Sequence, residues 1–181
     1  MMEAGYLTEG APIELLDGFL AVKDRSARGE DPSTIGKQHN LVVKLLTELD
    51  PELRLLGFHM QVQGPVTLGP RHEPEPDGAI LRGAPRDYAE RLPRATDVLT
   101  LFEAADGSLD QDRKAKMEIY ARAGIPRYAI VNLIERRIEV FADALPAEGR
   151  YGRIVSLGAE ETMVLDLEGK RLEVPVQNLL P

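Results

Sequence analysis

The chain has 181 residues, a formal net charge of −8 and no cysteine. Its length suits one domain with a substantial core, and the lack of cysteine excludes disulfides and thiolate metal sites and agrees with a cytoplasmic location. The acidic balance argues against a broad basic surface for nucleic acid, and no apolar run is long enough to span a membrane.

The first predicted element is a β-hairpin near the N-terminus. Residues 13–16 and 19–22 are mostly apolar and flank Asp17 and Gly18. An Asp-Gly pair tolerates the positive φ angles of a type I′ turn, which favours a tight connection between two strands. Residues 23–32 are polar and predict a loop.

A helix and three strands are expected next. Ser33 is a plausible N-cap for a helix that continues to about Leu49, because apolar residues recur at helical spacing. Residues 58–62 alternate between apolar and polar, which is typical of a half-buried strand. Another strand is predicted over 77–81. Residues 97–104 are mostly apolar, as expected of a central strand that is covered on both faces.

The second half predicts a helix followed by further strands. Residues 110–123 are helical in pattern, with acids in the first turn and Gly124 as a C-terminal stop. Two strands joined by a tight hairpin are expected at 128–133 and 138–141. Three short strand-like segments follow, at 154–157, 163–167 and 172–176. We therefore predict an α/β fold with a mixed central sheet flanked by helices.

Two acids and a lysine stand out along this order of elements. Asp77 follows a proline, Glu103 ends an apolar strand, and Lys116 lies early on the next helix. Two carboxylates can hold a hard cation such as Mg²⁺, and a lysine can stabilise charge that develops on a phosphate. Alternatively, Asp77 caps a turn, Glu103 pairs with a basic side chain, and Lys116 is a surface residue paired with Asp112.

Several segments resemble the Uma-type family of proposed restriction endonucleases, a branch of the PD-(D/E)XK nuclease superfamily. The likeness runs from about Ile13 to Phe141. The segments that carry it are residues 14–18 (ELLDG), 62–66 (VQGPV), 73–77 (EPEPD), 112–116 (DRKAK) and 120–126 (YARAGIP).

The resemblance implies a restriction-endonuclease-like core over about residues 33–141 of a single domain. It makes Asp77 and Glu103 the two metal carboxylates, expected on adjacent strands with converging carboxyl groups. The superfamily's lysine normally follows the second acid by two residues, but this chain has Ala105 there. Lys116 matches the lysine that this family offers on the next helix, and His39 matches a histidine common in the family.

Two further residues are assigned supporting roles at the site, and two positions depart from the family. Glu14 and Gln63 lie in matching segments, although both could equally be exposed on their strands. Where the family often has tryptophan and aspartate, this chain has Ala129 and Asn132. It also has Phe-Glu-Ala at residues 102–104, where valine-glutamate-valine is usual.

These observations predict a nuclease that depends on Mg²⁺ or Mn²⁺ and hydrolyses phosphodiester bonds, with DNA as the expected partner. Cleavage of a duplex commonly uses two sites, which favours a homodimer. Two alternatives stay open. One is a non-catalytic module that binds nucleic acid or protein and keeps the fold with an eroded site. The other is a metal-dependent hydrolase of a small phosphorylated molecule.

Overall fold

The computed structural model describes residues 13–23 and 36–181. Strands β1 (Ile13–Leu16) and β2 (Phe19–Val22) pair antiparallel, as predicted. Asp17 and Gly18 have φ angles of 52° and 82°, as a type I′ turn requires. Most of the predicted loop and its neighbour Ser33 lie outside the described residues.

Two helices follow where one was expected. Helix α1 (Lys37–Thr47) has Gly36 as its N-cap, so the proposed N-cap at position 33 was wrong and the helix ends two residues earlier than predicted. Helix α2 (Asp50–Leu55) was not predicted. Pro51 is tolerated in its first turn, where the missing N–H has no helical partner in any case.

A six-stranded sheet forms the centre of the molecule. Its strands lie side by side in chain order, and only β5 and β6 are parallel. The predicted mixed sheet is therefore confirmed, and it continues past residue 141 through β8. The strands are β3 (Phe58–Val62), β4 (Gly78–Arg82), β5 (Val98–Ala105), β6 (Arg127–Asn132), β7 (Arg137–Leu145) and β8 (Arg150–Gly158).

The connection from β5 to its parallel neighbour β6 is helical. It consists of α3 (Leu109–Gln111), a π-helical turn (Asp112–Lys116) and α4 (Met117–Arg122), which together we call the crossover helix. Gly124 ends it with a φ of 74°, as predicted. The π-helical turn was not predicted.

Each face of the sheet is covered by a separate core. Helices α1 and α2 pack on one face together with a C-terminal ribbon of β9 (Thr162–Leu167) and β10 (Lys170–Pro175). The crossover helix packs on the other face. Every residue of β5 is consequently buried, as predicted for a central strand. Among the described residues, no helix is long and apolar enough to cross a membrane.

Candidate active site

Asp77 directly precedes β4 and Glu103 lies on its neighbour β5, so the two residues come together at one end of the sheet. Gly78 of β4 pairs with Phe102 of β5 in an antiparallel register, so the residue before Gly78 lies opposite the residue after Phe102. Directly opposed residues project to the same face, with Cβ atoms about 4.5–5.5 Å apart. The Glu103 side chain contacts the crossover helix, and both side chains are buried.

The Asp77 carboxylate has a different neighbour at each oxygen. Its Oδ2 accepts the backbone N–H of Ala104 at 2.8 Å. Its Oδ1 lies 2.8 Å from Nζ of Lys23 and 3.2 Å from Nε2 of His39, although neither contact has the angles of a regular hydrogen bond. Burial alone would raise the pKa of Asp77, but Lys23 and His39 outweigh it and lower that pKa. This carboxyl group is therefore ionised at neutral pH.

Glu103 receives two donors on one oxygen. Its Oε1 accepts Nζ of Lys116 at 3.0 Å and the hydroxyl of Tyr120 at 2.8 Å. Burial raises the pKa of Glu103 to about 8, since the attraction of Lys116 is offset by burial and by the repulsion of Asp77 and Asp112. The Glu103 side chain is thus held in place by the crossover helix.

Lys116 is surrounded by three carboxyl groups. Besides Glu103, its Nζ lies 3.3 Å from Oε2 of Glu14 and 3.7 Å from Oδ1 of Asp112. Only 4% of Lys116 is exposed. Burial would lower its pKa, but the three carboxylates raise the pKa well above its ordinary value. Lys116 therefore carries a fixed positive charge inside the protein.

The π-helical turn explains why three residues of the crossover helix all face the sheet. Asp112 and Tyr120 are eight residues apart, which in a regular α-helix would rotate them about 80° away from each other. The N–H of Met117 bonds to the carbonyl of Asp112, five residues back, so the turn holds one extra residue. The extra residue reduces the angle about the helix axis between Asp112 and Tyr120 to about 20°. Lys116 lies between these two residues along the helix.

The other predicted residues take distinct places. His39 projects from the first turns of α1 toward Asp77. Glu14 is anchored through Oε1, which accepts the N–H of Glu75 at 2.8 Å. Gln63 is the exception, because its contact with Asp77 involves backbone atoms only. The N–H of Gln63 donates to the backbone carbonyl oxygen of Asp77 at 3.3 Å. The structure thus groups five of the six predicted side chains: Glu14, His39, Asp77, Glu103 and Lys116.

Two buried contacts of the site were not anticipated from the sequence. Lys23 was assigned to a polar loop, yet it is only 3% exposed and also donates to the carbonyl oxygen of Glu75. Tyr120 is also buried, and its hydroxyl donates a hydrogen bond to Glu103. Lys23 directly follows an apolar strand, and this position was the signal in the sequence that could have indicated its burial.

The departure at Asn132 has a structural explanation. Its Nδ2 donates to Oε1 of Glu139 at 2.8 Å, and its Oδ1 accepts the N–H of Glu135 at 3.0 Å. An aspartate here could not donate, and it would repel Glu139. Arg113 of the crossover helix binds the same Glu139 carboxylate through two nitrogens. This network fastens the helix that carries Lys116 to β7.

The Glu139 network predicts a pH-dependent contribution to stability. Burial would raise the pKa of Glu139, but bonds from Arg113 and Asn132 outweigh it and lower that pKa. Because the folded state favours the ionised form, the stabilisation is present at neutral pH and is lost as the pH falls through the acid range. We expect Glu139→Gln to lower the free energy of unfolding at neutral pH, and the difference from wild type to shrink in acid.

Urea unfolding of both proteins at several pH values measures this difference. Glu118→Gln is the control, since Glu118 forms an exposed pair with Arg122 and exposed pairs contribute little. A Glu139→Gln deficit that is as large in acid as at neutral pH would contradict the argument.

The site holds more acidic than basic side chains. Four buried carboxyl groups (Glu14, Asp77, Glu103 and Asp112) surround two buried lysines (Lys23 and Lys116). The sum reaches about −2 only when all of these groups are ionised, and burial raises the pKa of Glu103 to about 8, so a bound cation would favour its ionised form. Three of the carboxylate oxygens have no hydrogen-bond partner: Glu14 Oε2, Asp77 Oδ1 and Asp112 Oδ1. Buried polar atoms normally have partners, and each of these oxygens lies 2.8–3.7 Å from a lysine ammonium instead. The cluster therefore contains oxygen ligands that a divalent cation could use in place of a lysine.

The described part of the chain contains no group of three or more His, Asp or Glu side chains arranged to hold a metal ion. Mg²⁺ is commonly bound by only one or two carboxylates, with water and substrate phosphate completing its octahedron. Asp77 and Glu103, which lie at neighbouring positions of β4 and β5, could supply that smaller ligand set.

Comparison with known proteins identifies the family. The model of the family described as "Uma2: Putative restriction endonuclease" matches residues 8–177. The chain belongs to the Uma2 family. No curated protein matches the chain at a significant level.

A solved structure shares the fold of this Uma2 protein. It is the crystal structure described as "a putative nuclease belonging to DUF820" from Anabaena variabilis. The two chains are 13% identical, the TM-score is 0.69, and the match covers 98% of this chain and 95% of the other. The restriction-endonuclease-like fold predicted from the sequence is confirmed. Membership of the Uma2 family supports a nuclease-like function.

Proposed function

We propose that this protein is a metal-dependent nuclease that hydrolyses phosphodiester bonds in DNA. One observation carries the proposal: two acids at neighbouring strand positions, Asp77 and Glu103, lie in a buried cluster whose acids outnumber its lysines by two. The buried Lys116 next to Glu103 supplies the third part of such a site.

Asp77 and Glu103 would hold the cation, with Mg²⁺ or Mn²⁺ as the expected metal. When bound, a divalent cation polarises a phosphate and lowers the pKa of a water ligand. The N–H of Ala104 and the hydroxyl of Tyr120 fix the two carboxylates. These bonds restrict the positions of the two side chains before a cation binds.

Lys116 would stabilise the negative charge that builds up on the phosphate during attack. Three carboxyl groups keep its ammonium charged, so it is suited to electrostatic stabilisation rather than to removing a proton from water. Glu14 and Asp112 are positioning residues, since they direct the ammonium. His39 lies close enough to Asp77 to orient it.

The substrate assignment rests on the Uma2 family, whose description is that of a restriction endonuclease. A site that cuts one strand must act twice on a duplex, so we propose that a homodimer is the active form. A cytoplasmic location fits a chain without cysteine. The net charge of −8 implies that DNA contact is local and aided by the cation.

The first test is metal binding and cleavage by the wild type. Ligands that bind only the folded state stabilise it by about 2.7 kcal/mol at 100 times their Kd. Millimolar Mg²⁺ or Mn²⁺ should therefore raise the melting temperature, and the same metals should support cleavage of a mixed DNA pool.

Ca²⁺ and EDTA provide controls in both assays. Ca²⁺ prefers a larger and more flexible coordination shell than Mg²⁺, so it should bind with little cleavage. EDTA should remove both effects. No melting shift and no calorimetric heat at millimolar Mg²⁺ or Mn²⁺ would contradict a metal-dependent nuclease.

A non-catalytic binding module is the second candidate, and the position of Lys23 favours it. The ammonium of Lys23 already neutralises Asp77 at 2.8 Å, as it would in a site that no longer binds metal. This candidate predicts normal folding, no metal-induced stabilisation and DNA binding without cleavage.

A further inference from the structure

Lys23 is attached to the site in an unusual way. Its Nζ contacts both Oδ1 of Asp77, at 2.8 Å, and the backbone carbonyl oxygen of Glu75. Two oxygen atoms, one from a carboxylate and one from a carbonyl, are also a suitable pair of ligands for a hard divalent cation. The ammonium thus lies at the oxygen of Asp77 that a metal would need.

Lys23 directly follows β2 and is buried, although apolar side chains of that strand are exposed. Phe19 and Val22 of β2 are 73% and 59% exposed, whereas Lys23 is buried. This pattern reverses the usual one, since apolar side chains lie outside and a cation lies inside. Burying an ammonium costs several kcal/mol unless a carboxylate compensates, and Asp77 provides that compensation.

The other described attachments of the β-hairpin leave from β1 or the turn, and they include side-chain contacts of Glu14 and Asp17. Backbone bonds join Leu15 to Glu73 and Gly18 to Arg71, and all of them leave from β1 or the turn. Lys23 is therefore the main attachment described for the end of β2, and its release would leave the bonds of β1 intact.

We propose that Lys23 is a tethered competitor of the metal: its ammonium and a divalent cation exclude each other at Oδ1 of Asp77, so that metal loading displaces Lys23 into solvent. This inference rests on the proposed function and adds a residue that sets metal affinity. Without metal, the positive charge of Lys23 also offsets part of the negative charge of the buried carboxyl groups. Two positive groups at one carboxylate oxygen repel strongly at a separation of a few ångströms, which is why both cannot occupy it.

The first test is calorimetric titration of Mg²⁺ and Mn²⁺ into wild type, Lys23→Met and Lys44→Met. Lys44 lies on the exposed side of α1, so its replacement removes the same charge without touching the site. We expect Lys23→Met to bind metal on the order of tenfold more tightly than wild type, and Lys44→Met to match wild type. Equal or weaker binding by Lys23→Met would overturn the proposal.

The second test uses the wild type alone, so it does not depend on the folding of a variant. An amine-reactive label should modify exposed Lys44 at all times and spare buried Lys23 and Lys116 without metal. Saturating Mg²⁺ should expose Lys23 to the label while Lys116 stays protected, as read by mass spectrometry of peptides. Protection of Lys23 that persists at saturating metal overturns the displacement.

The two proposals fail in different ways. If neither wild type nor Lys23→Met binds metal, the metal-dependent nuclease is wrong and the competition falls with it. If both bind metal equally and the wild type cleaves DNA, the nuclease stands and only the role of Lys23 is overturned.

Discussion

Lys116→Ala is expected to reduce cleavage on the order of 10²–10³-fold while metal binding persists. The loss corresponds to removing one preorganised group that stabilises charge in the transition state. Lysine is no ligand to Mg²⁺, so the Mg²⁺-dependent rise in melting temperature should remain. The substitution also leaves the carboxyl groups of Glu14, Glu103 and Asp112 without their shared cation, which should cost about 3–5 kcal/mol of stability.

Lys114→Ala is the matched control for this experiment. Lys114 lies two residues away on the same helix, its side chain is 77% exposed, and its nearest acid, Asp110, is 3.9 Å away. Its loss should change stability by no more than about 0.5 kcal/mol and leave cleavage near the wild-type rate. Cleavage by folded Lys116→Ala at the rate of Lys114→Ala would remove Lys116 from the mechanism.

Asp77→Ala should abolish metal binding and cleavage together. The variant loses one of two proposed metal carboxylates and strands the buried Lys23 ammonium. Removing one partner of a buried ion pair lowers the free energy of unfolding by about 3–5 kcal/mol. For a chain of this size, that corresponds to a fall of roughly 6–20 °C in melting temperature. We therefore expect a lower melting temperature that Mg²⁺ no longer raises.

Thermal unfolding with and without Mg²⁺ measures both effects of this change. Asp110→Ala provides the control. Asp110 lies on the crossover helix, and its side chain is 89% exposed. If Asp77→Ala is too unstable, Asp77→Asn preserves the shape and one acceptor for Ala104. A full Mg²⁺ response in folded Asp77→Asn would show that this carboxylate is not a metal ligand.

Local sequence signals were enough to predict the frame of the fold. The Asp17-Gly18 turn and the apolar run of β5 each depend on neighbours in the chain, and both appear as expected. The short helix α2 was missed because Pro51 usually signals a break. Here the proline stands in the first turn, where helices tolerate it.

Contacts across the fold were predictable only in part. The resemblance to the family drew attention to Asp77, Glu103 and Lys116, and the structure brings these residues into one cluster, although their catalytic roles are still predictions. Lys23 escaped because a lysine in a polar segment usually means a solvated side chain. Its burial depends on a carboxylate more than fifty residues later in the chain, which no local pattern reveals.

The role of Tyr120 and the π-helical turn escaped for a related reason. The spacing of residues along a helix does not show which acid a tyrosine hydroxyl contacts. A single extra residue in a turn also leaves the apolar pattern of the crossover helix almost unchanged, so the pattern is equally compatible with a regular helix.

The π-helical turn has a consequence for how this segment can change in length. Loss of one residue between Asp112 and Lys116 would let the backbone relax to a regular helix, which is the more stable local geometry. The helix would then lose the alignment that directs Asp112, Lys116 and Tyr120 to the same face. Spacing in this segment is therefore constrained more tightly than residue identity on its outer side, and a deletion that improves the helix would dismantle the cluster.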